Sequence, residues 1–170
     1  MLHEKNEYYP VIDRLYSKSL VLESVGDFNP VFYFYFMDTL AHIDYSVSIL
    51  AYNFHNIRNK MNMEYMRWRI DEEQKGERTL FPEFINWLKE NNPEKFNSLP
   101  YLWRAIYDKS NPAGYRSFRI AINPDSNQPT PVSSFNQWIE EFFDQKFIKS
   151  IYKGGSLDIL YTEFLANRNG

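Results

Sequence analysis

The stretch NPVFYFYFMDTLAHIDYSVSILAYNFHNIRNKM, Asn29 to Met61, decides how this chain folds. Within it, apolar residues recur at Tyr33, Phe36, Leu40, Ile43, Val47, Leu50, Phe54, Ile57 and Met61, in alternating steps of three and four. That is the seam of a helix laid lengthwise against partner helices. Its start is marked too. Gly26 closes the preceding segment, Asn29 is a capping residue type, and Pro30 suits a first helical position, where no N–H is needed. Phe28 before the cap and Tyr33 after it have the spacing of a hydrophobic staple. Val31 to Phe36 is an unbroken apolar run that in isolation reads as a strand; the capping signals and the seam assign it to helix. Phe34, Tyr35, Tyr45, Ile49 and Tyr52 make the back of the helix apolar as well, so neighbours are expected on more than one side.

Length sets a limit on this rod. Glu64 occupies the next apolar place after Met61, and the pattern resumes at Tyr65 and Trp68. A helix from Pro30 to Glu73 would be about 65 Å long. A domain of this chain's 170 residues is only about 40 Å across. The helix therefore either bends near 61–64 or projects to meet another subunit.

On the N-terminal side, residues 1–9 read as a loosely ordered lead. Val11, Ile12, Leu15, Ser19 and Leu22 then share one face of a helix from about Pro10 to Ser24, ended by Gly26. On the C-terminal side, Asp71 to Thr79 is a charged turn containing Gly76. A helix from about Pro82 to Asn91 follows, then a short turn at 93–97. Ser98 caps a helix from Leu99 to Lys109. Phe118, Ile120 and Ile122 alternate with Arg119 and Ala121, so residues 115–122 are the one strand candidate. Ser134 with Gln137 forms a capping box opening a helix to about Tyr152. Gly154 and Gly155 stop it, and Ser156 caps the last helix. The expected fold is thus mainly α: a helical bundle around one long central helix, about 30–61 or longer, with at most a minor β element near 115–122. No linker separates two cores, so residues 1–170 are expected to be a single helical domain.

Composition narrows the function. Aromatic residues make up 18% of the chain, including thirteen Tyr and fourteen Phe, so the core should be rich in rings. The absence of cysteine excludes disulfides, thiolate nucleophiles and Cys-ligated metals, and suits a cytoplasmic location. The start of the chain shows no secretory pattern, and no apolar run is long enough to span a membrane. A net charge of −3 provides no global attraction to nucleic acid or anionic lipid. No phosphate-binding glycine loop, nucleophile elbow or dinucleotide fingerprint is present.

Four local patterns bear on chemistry. Glu64, Glu72, Glu73, Glu140 and Glu141 suggest a carboxylate metal site, but the Glu-x-x-His spacing of paired-helix sites never occurs, so they read as a solvated face. Asp38 and His42, four residues apart, share a helix face and form a weak polar-site candidate. A metal would need further ligands, and with only three histidines in the chain no cofactor or metal is expected. Arg58 and Asn59 resemble the start of the Arg–polar–His motif of HEPN-type ribonucleases, but no histidine follows His55, so the motif is absent. The basic–aromatic cluster is the sharpest signal. Arg58, Lys60, Arg67 and Arg69 surround Tyr65 and Trp68, with Arg116 and Arg119 forming a smaller group. Cations can meet phosphates there while rings stack on bases. The leading expectation is nonetheless a non-enzymatic protein acting through protein–protein contacts, as a homo-oligomer or with another protein. Nucleic-acid binding by the residues at 58–69 with 115–119 is the alternative. An unrecognised enzyme would reveal itself by a deep polar pocket around Asp38 and His42.

Overall fold

In the computed structural model, which describes residues 7–55, 60–77, 80–110 and 130–169, the decisive stretch forms two helices instead of one. α1 is Tyr9–Val25, α2 Val31–Ile43, α3 Tyr45–His55, α4 Lys60–Lys75 and α5 Leu80–Asn91. Two short helices follow, α6 Pro93–Asn97 and α7 Tyr101–Tyr107; then come α8 Val132–Phe142, α9 Gln145–Ser150 and α10 Ser156–Asn169. Among the described residues the only β pairing is an isolated antiparallel bridge between Phe28 and Tyr152. The strand candidate at 115–122 lies outside the described residues.

The expected rod is corrected at Asp44. This residue leaves the helical region, with φ −145° and ψ 102°, although its N–H still donates to the Leu40 carbonyl at 3.0 Å. Aspartate is a weak helix former because its side chain competes for nearby backbone groups. The seam itself survives the break: Tyr33, Phe36, Leu40, Ile43, Val47 and Met61 are buried, and Leu50 is half-buried against the core. The side chain of Phe54, and Ile57 altogether, lie outside the described residues. Because α3 packs on both α1 and α2, the chain fits its length by folding at Asp44. The bend expected near 61–64 does not occur, since α4 runs through those positions without interruption.

α2 lies in the middle of the packing. Phe32 to Met37, Thr39 to Ala41 and Ile43 are all buried, so the helix is covered nearly all round. Asn29 works as expected, its Oδ1 accepting the Val31 N–H at 3.1 Å. Gly26, at φ 71°, ends α1 in the left-handed conformation that glycine adopts without strain. The lead shortens: Tyr8 is buried and its hydroxyl donates to the Thr130 carbonyl at 3.0 Å.

The helix expected from Ser134 to Tyr152 is also two helices. Asp144 interrupts it, and its carboxylate accepts the Lys146 and Phe147 N–H groups at 3.1 and 3.4 Å, an N-cap for α9. α7 begins after Pro100 instead of at Leu99. Its first N–H, on Tyr101, is satisfied by the Glu141 carboxylate at 3.0 Å, a partner forty residues away.

Aromatic rings fill the interior. Phe36 stacks on Phe142 at 4.3 Å and Tyr35 on Phe81 at 4.0 Å between ring centres. Fully buried Trp103 meets Phe81, Phe142 and Phe147 edge-on at 4.8, 5.9 and 5.6 Å. These edge-to-face contacts suit the ring quadrupoles. Thr39 on α2 ties the same region together. Its single hydroxyl proton goes to the Tyr35 carbonyl at 2.7 Å. Its lone pairs then accept the Trp103 indole N–H at 3.2 Å and the Tyr107 hydroxyl at 2.8 Å.

Candidate functional site

A cleft of about 440 Å³ opens where α2, α4, α5 and the end of α7 meet. α2 contributes Tyr35, Asp38 and His42; the spacing of three and four places them on one side of the helix. α4 contributes Trp68, Arg69 and Glu72, and the turn after it contributes Glu77. Phe81 and Pro82 of α5 and Tyr107 of α7 complete the lining.

The walls are a chain of rings. Trp68 meets Tyr35 edge-on at 5.3 Å, Tyr35 stacks on Phe81, and Phe81 meets Tyr107 edge-on at 5.3 Å. Their hydroxyls are engaged elsewhere: Tyr35 with the Tyr161 hydroxyl at 2.7 Å, Tyr107 with Thr39. Burial pushes both phenols well above their ordinary range, so they stay neutral.

The charges are arranged by two devices. Arg69 Nε lies 3.6 Å from Asp38 Oδ1, so this guanidinium and this carboxylate offset one another. Glu72 and Glu77 are both carried to the cleft by the end of α4. Gly76, at φ 71°, lets the Glu77 N–H return to the Glu72 carbonyl at 3.0 Å and the Gly76 N–H to the Glu73 carbonyl at 3.2 Å. This is a Schellman turn, which folds the residue after the glycine back over the last helical turn. Among the described residues, no cationic side chain lies within ion-pair distance of Glu72 or Glu77. Lys75, on the same turn, is taken by Asp71 at 2.9 Å. Burial raises the Glu72 carboxyl above the ordinary carboxylate range, and repulsion from Glu77 adds to the rise.

That shift has a sign that can be tested. A carboxyl whose folded-state pKa is raised opposes folding when ionised. The opposition is complete above the raised pKa and vanishes as pH falls below the ordinary carboxylate value. Glu72→Gln is therefore expected to raise Tm at neutral pH by on the order of 1 °C, because the group is largely solvated. The gain should disappear in melts at about pH 3.

Asp38 and His42, paired on the sequence, thus do line a cleft, and His42 is exposed at its edge. The basic–aromatic cluster divides. Trp68 and Arg69 turn into the cleft, and Trp68 packs on Phe34, Tyr35 and Tyr65. Arg67 faces solvent, and exposed Lys60 lies 4.0 Å from Glu64. Arg58, Arg116 and Arg119 lie outside the described residues. Sequence reasoning missed Tyr35, Glu72, Glu77, Phe81 and Tyr107 as companions of Asp38. The Gly76 turn was the available signal for the Glu72–Glu77 pair; nothing local linked the rings. Among the described residues, no three His, Asp or Glu side chains converge as metal ligands, and no helix is long and apolar enough to cross a membrane. Comparison with protein-family models, curated proteins and solved structures finds no match for this chain.

Proposed function

We propose that this protein acts through protein–protein contacts, in the cytoplasm and without catalysis of its own, and that it self-associates through the outer face of α4. The carrying observation is a stripe opposite the cleft. Met63, Arg67, Ile70 and Gln74 recur in steps of four, three and four and all are exposed, Met63 to 46% and Ile70 to 55%. At 100° per residue they share one side of the helix, while Tyr65, Trp68, Arg69 and Glu72 occupy the other. This repeats on the surface the seam spacing that elsewhere buries helices in pairs. α3, packed beside α4, exposes Tyr45 and Ile49 as well.

The stripe is self-complementary in charge. Arg67 belongs to its first half, while Asp71, bonded to Lys75, and Glu73 flank its second half and leave it net acidic. Two copies related by a twofold axis would align α4 antiparallel, setting Arg67 of each against the acidic half of the other. Helix dipoles oppose favourably in that arrangement. The nucleic-acid reading is less well supported, since Trp68 packs inward and Arg69 faces Asp38.

Sedimentation equilibrium tests the reading. The parent chain is expected to form a dimer, and Ile70→Asp to shift it to monomer. Arg67→Glu should weaken the dimer, and Arg67→Glu combined with Glu73→Arg should restore it. A parent that stays monomeric at its highest soluble concentration overturns the proposal.

A further inference from the structure

We infer that the ring-walled cleft between α2, α4 and α5 is a binding site for an organic cation, an alkylammonium or guanidinium group, held between the aromatic walls and the Glu72 and Glu77 carboxylates. This goes beyond self-association and uses the opposite side of α4.

Three features of the cleft agree on the sign of the ligand. Its walls are built from the rings of Trp68, Tyr35, Phe81 and Tyr107, and aromatic rings attract cations through their quadrupoles. Its fixed cation, Arg69, is already opposite Asp38 and Lys75 is bonded to Asp71, so among the described residues no cation lies within ion-pair distance of Glu72 or Glu77. Those charges sit at the C-terminal end of α4, where the helix dipole and the free carbonyls are already negative. Two carboxylates lining one cleft at the C-terminal end of a helix repel each other and the helix dipole. A bound cation reverses each of these terms at once: it offsets the repulsion, faces the dipole and desolvates against rings. An anion would meet all of them as repulsion. A neutral apolar molecule would meet the rings but strand the carboxylates without water.

The size of the site fits a small group. A volume of about 440 Å³ accommodates a short aliphatic amine or one basic side chain, and lies in the range of small-ligand pockets. The shared chemistry is a nitrogen cation on an alkyl stem, supplied either by a free amine or by a lysine or arginine of another polypeptide.

The test is titration calorimetry on the full chain with n-butylammonium, with 1-butanol as the uncharged counterpart, alongside nuclear magnetic resonance shifts at Glu72 and Trp68. N-butylammonium is expected to bind and to shift both residues; 1-butanol should bind at least about tenfold more weakly. The Glu72→Gln, Glu77→Gln double variant should lose about tenfold in cation affinity, with circular dichroism unchanged. Glu72→Lys supplies a tethered cation and should block the site. A Gly-Lys-Gly peptide that binds more tightly than n-butylammonium assigns the cation to a protein partner, and the reverse order assigns it to a free amine. Equal binding of n-butylammonium and 1-butanol, no binding of either, or cation shifts that bypass Glu72 and Trp68 would overturn the inference. Ile70→Asp should leave cation binding unchanged, so failure of the dimer and failure of the cleft are read separately.

Discussion

Trp103→Ala should be the most damaging single substitution in the described part of this protein, lowering stability by about 3–5 kcal/mol. The side chain is fully buried and touches rings from three other helices: Phe81 on α5, Phe142 on α8 and Phe147 on α9. Its indole N–H reaches a fourth, donating to Thr39 on α2 at 3.2 Å. Truncation removes the transfer free energy of a large ring and leaves a cavity that rigid aromatic neighbours cannot collapse to fill. For a chain of 170 residues the expected fall in Tm is about 10 °C. Trp103→Phe should recover most of the loss, because a ring still meets the three faces. Thermal melts and urea titrations check both. A loss below about 1 kcal/mol for alanine would mean that the aromatic cluster is not the structural centre described above.

The second large effect concerns a residue of modest size. Thr39→Val keeps the volume and the β-branch but removes the hydroxyl. In the parent that oxygen uses its full capacity, with one proton donated to the Tyr35 carbonyl and two lone pairs accepting from Trp103 and Tyr107. Valine leaves the Trp103 N–H and the Tyr107 hydroxyl buried without that acceptor, at about 1–3 kcal/mol for each group. The expected loss is therefore about 2–4 kcal/mol. Thr39→Ser retains the oxygen and should lose about 1 kcal/mol for the missing methyl. Since Thr39 and Trp103 share a bond, the double variant Thr39→Val, Trp103→Ala should be less destabilised than the two singles predict together. Serine and valine behaving alike in urea titrations would show that burial, and not the hydrogen bonds, holds this position. Because Tyr107 also lines the cleft, the valine variant links core stability to the cation site.

The two aspartates show how far periodicity reads. Both Asp44 and Asp144 stand inside apolar patterns that continue correctly on either side, and the buried face is the expected one across each gap. The pattern records which side of the chain is apolar, and that side persists whether the helix is straight or broken. Where it breaks depends on a side-chain oxygen finding backbone N–H groups, as Asp144 does on Lys146 and Phe147. Length left two outcomes for the central rod, a bend near 61–64 or a projecting end; the helix instead stops at Asp44.

The cleft was legible only at one corner. Asp38 and His42 are four apart on one helix, a spacing that reads directly. Trp68 and Arg69 drew notice for the charge around them, and the fold turns them inward instead of outward. Phe81 and Tyr107 read only as packing residues of their own helices, since nothing in their neighbours points to Tyr35.

By itself the sequence determined the helical class, the capped start at Asn29, the seam that is buried and the ring-rich interior, because each depends on spacing or composition along a short stretch. Only the tertiary structure decided that the rod folds at Asp44, that α7 takes its cap from Glu141, and that Glu72 and Glu77 face a wall of rings. Those features exist between segments, and their free energy comes from contacts that no single segment contains.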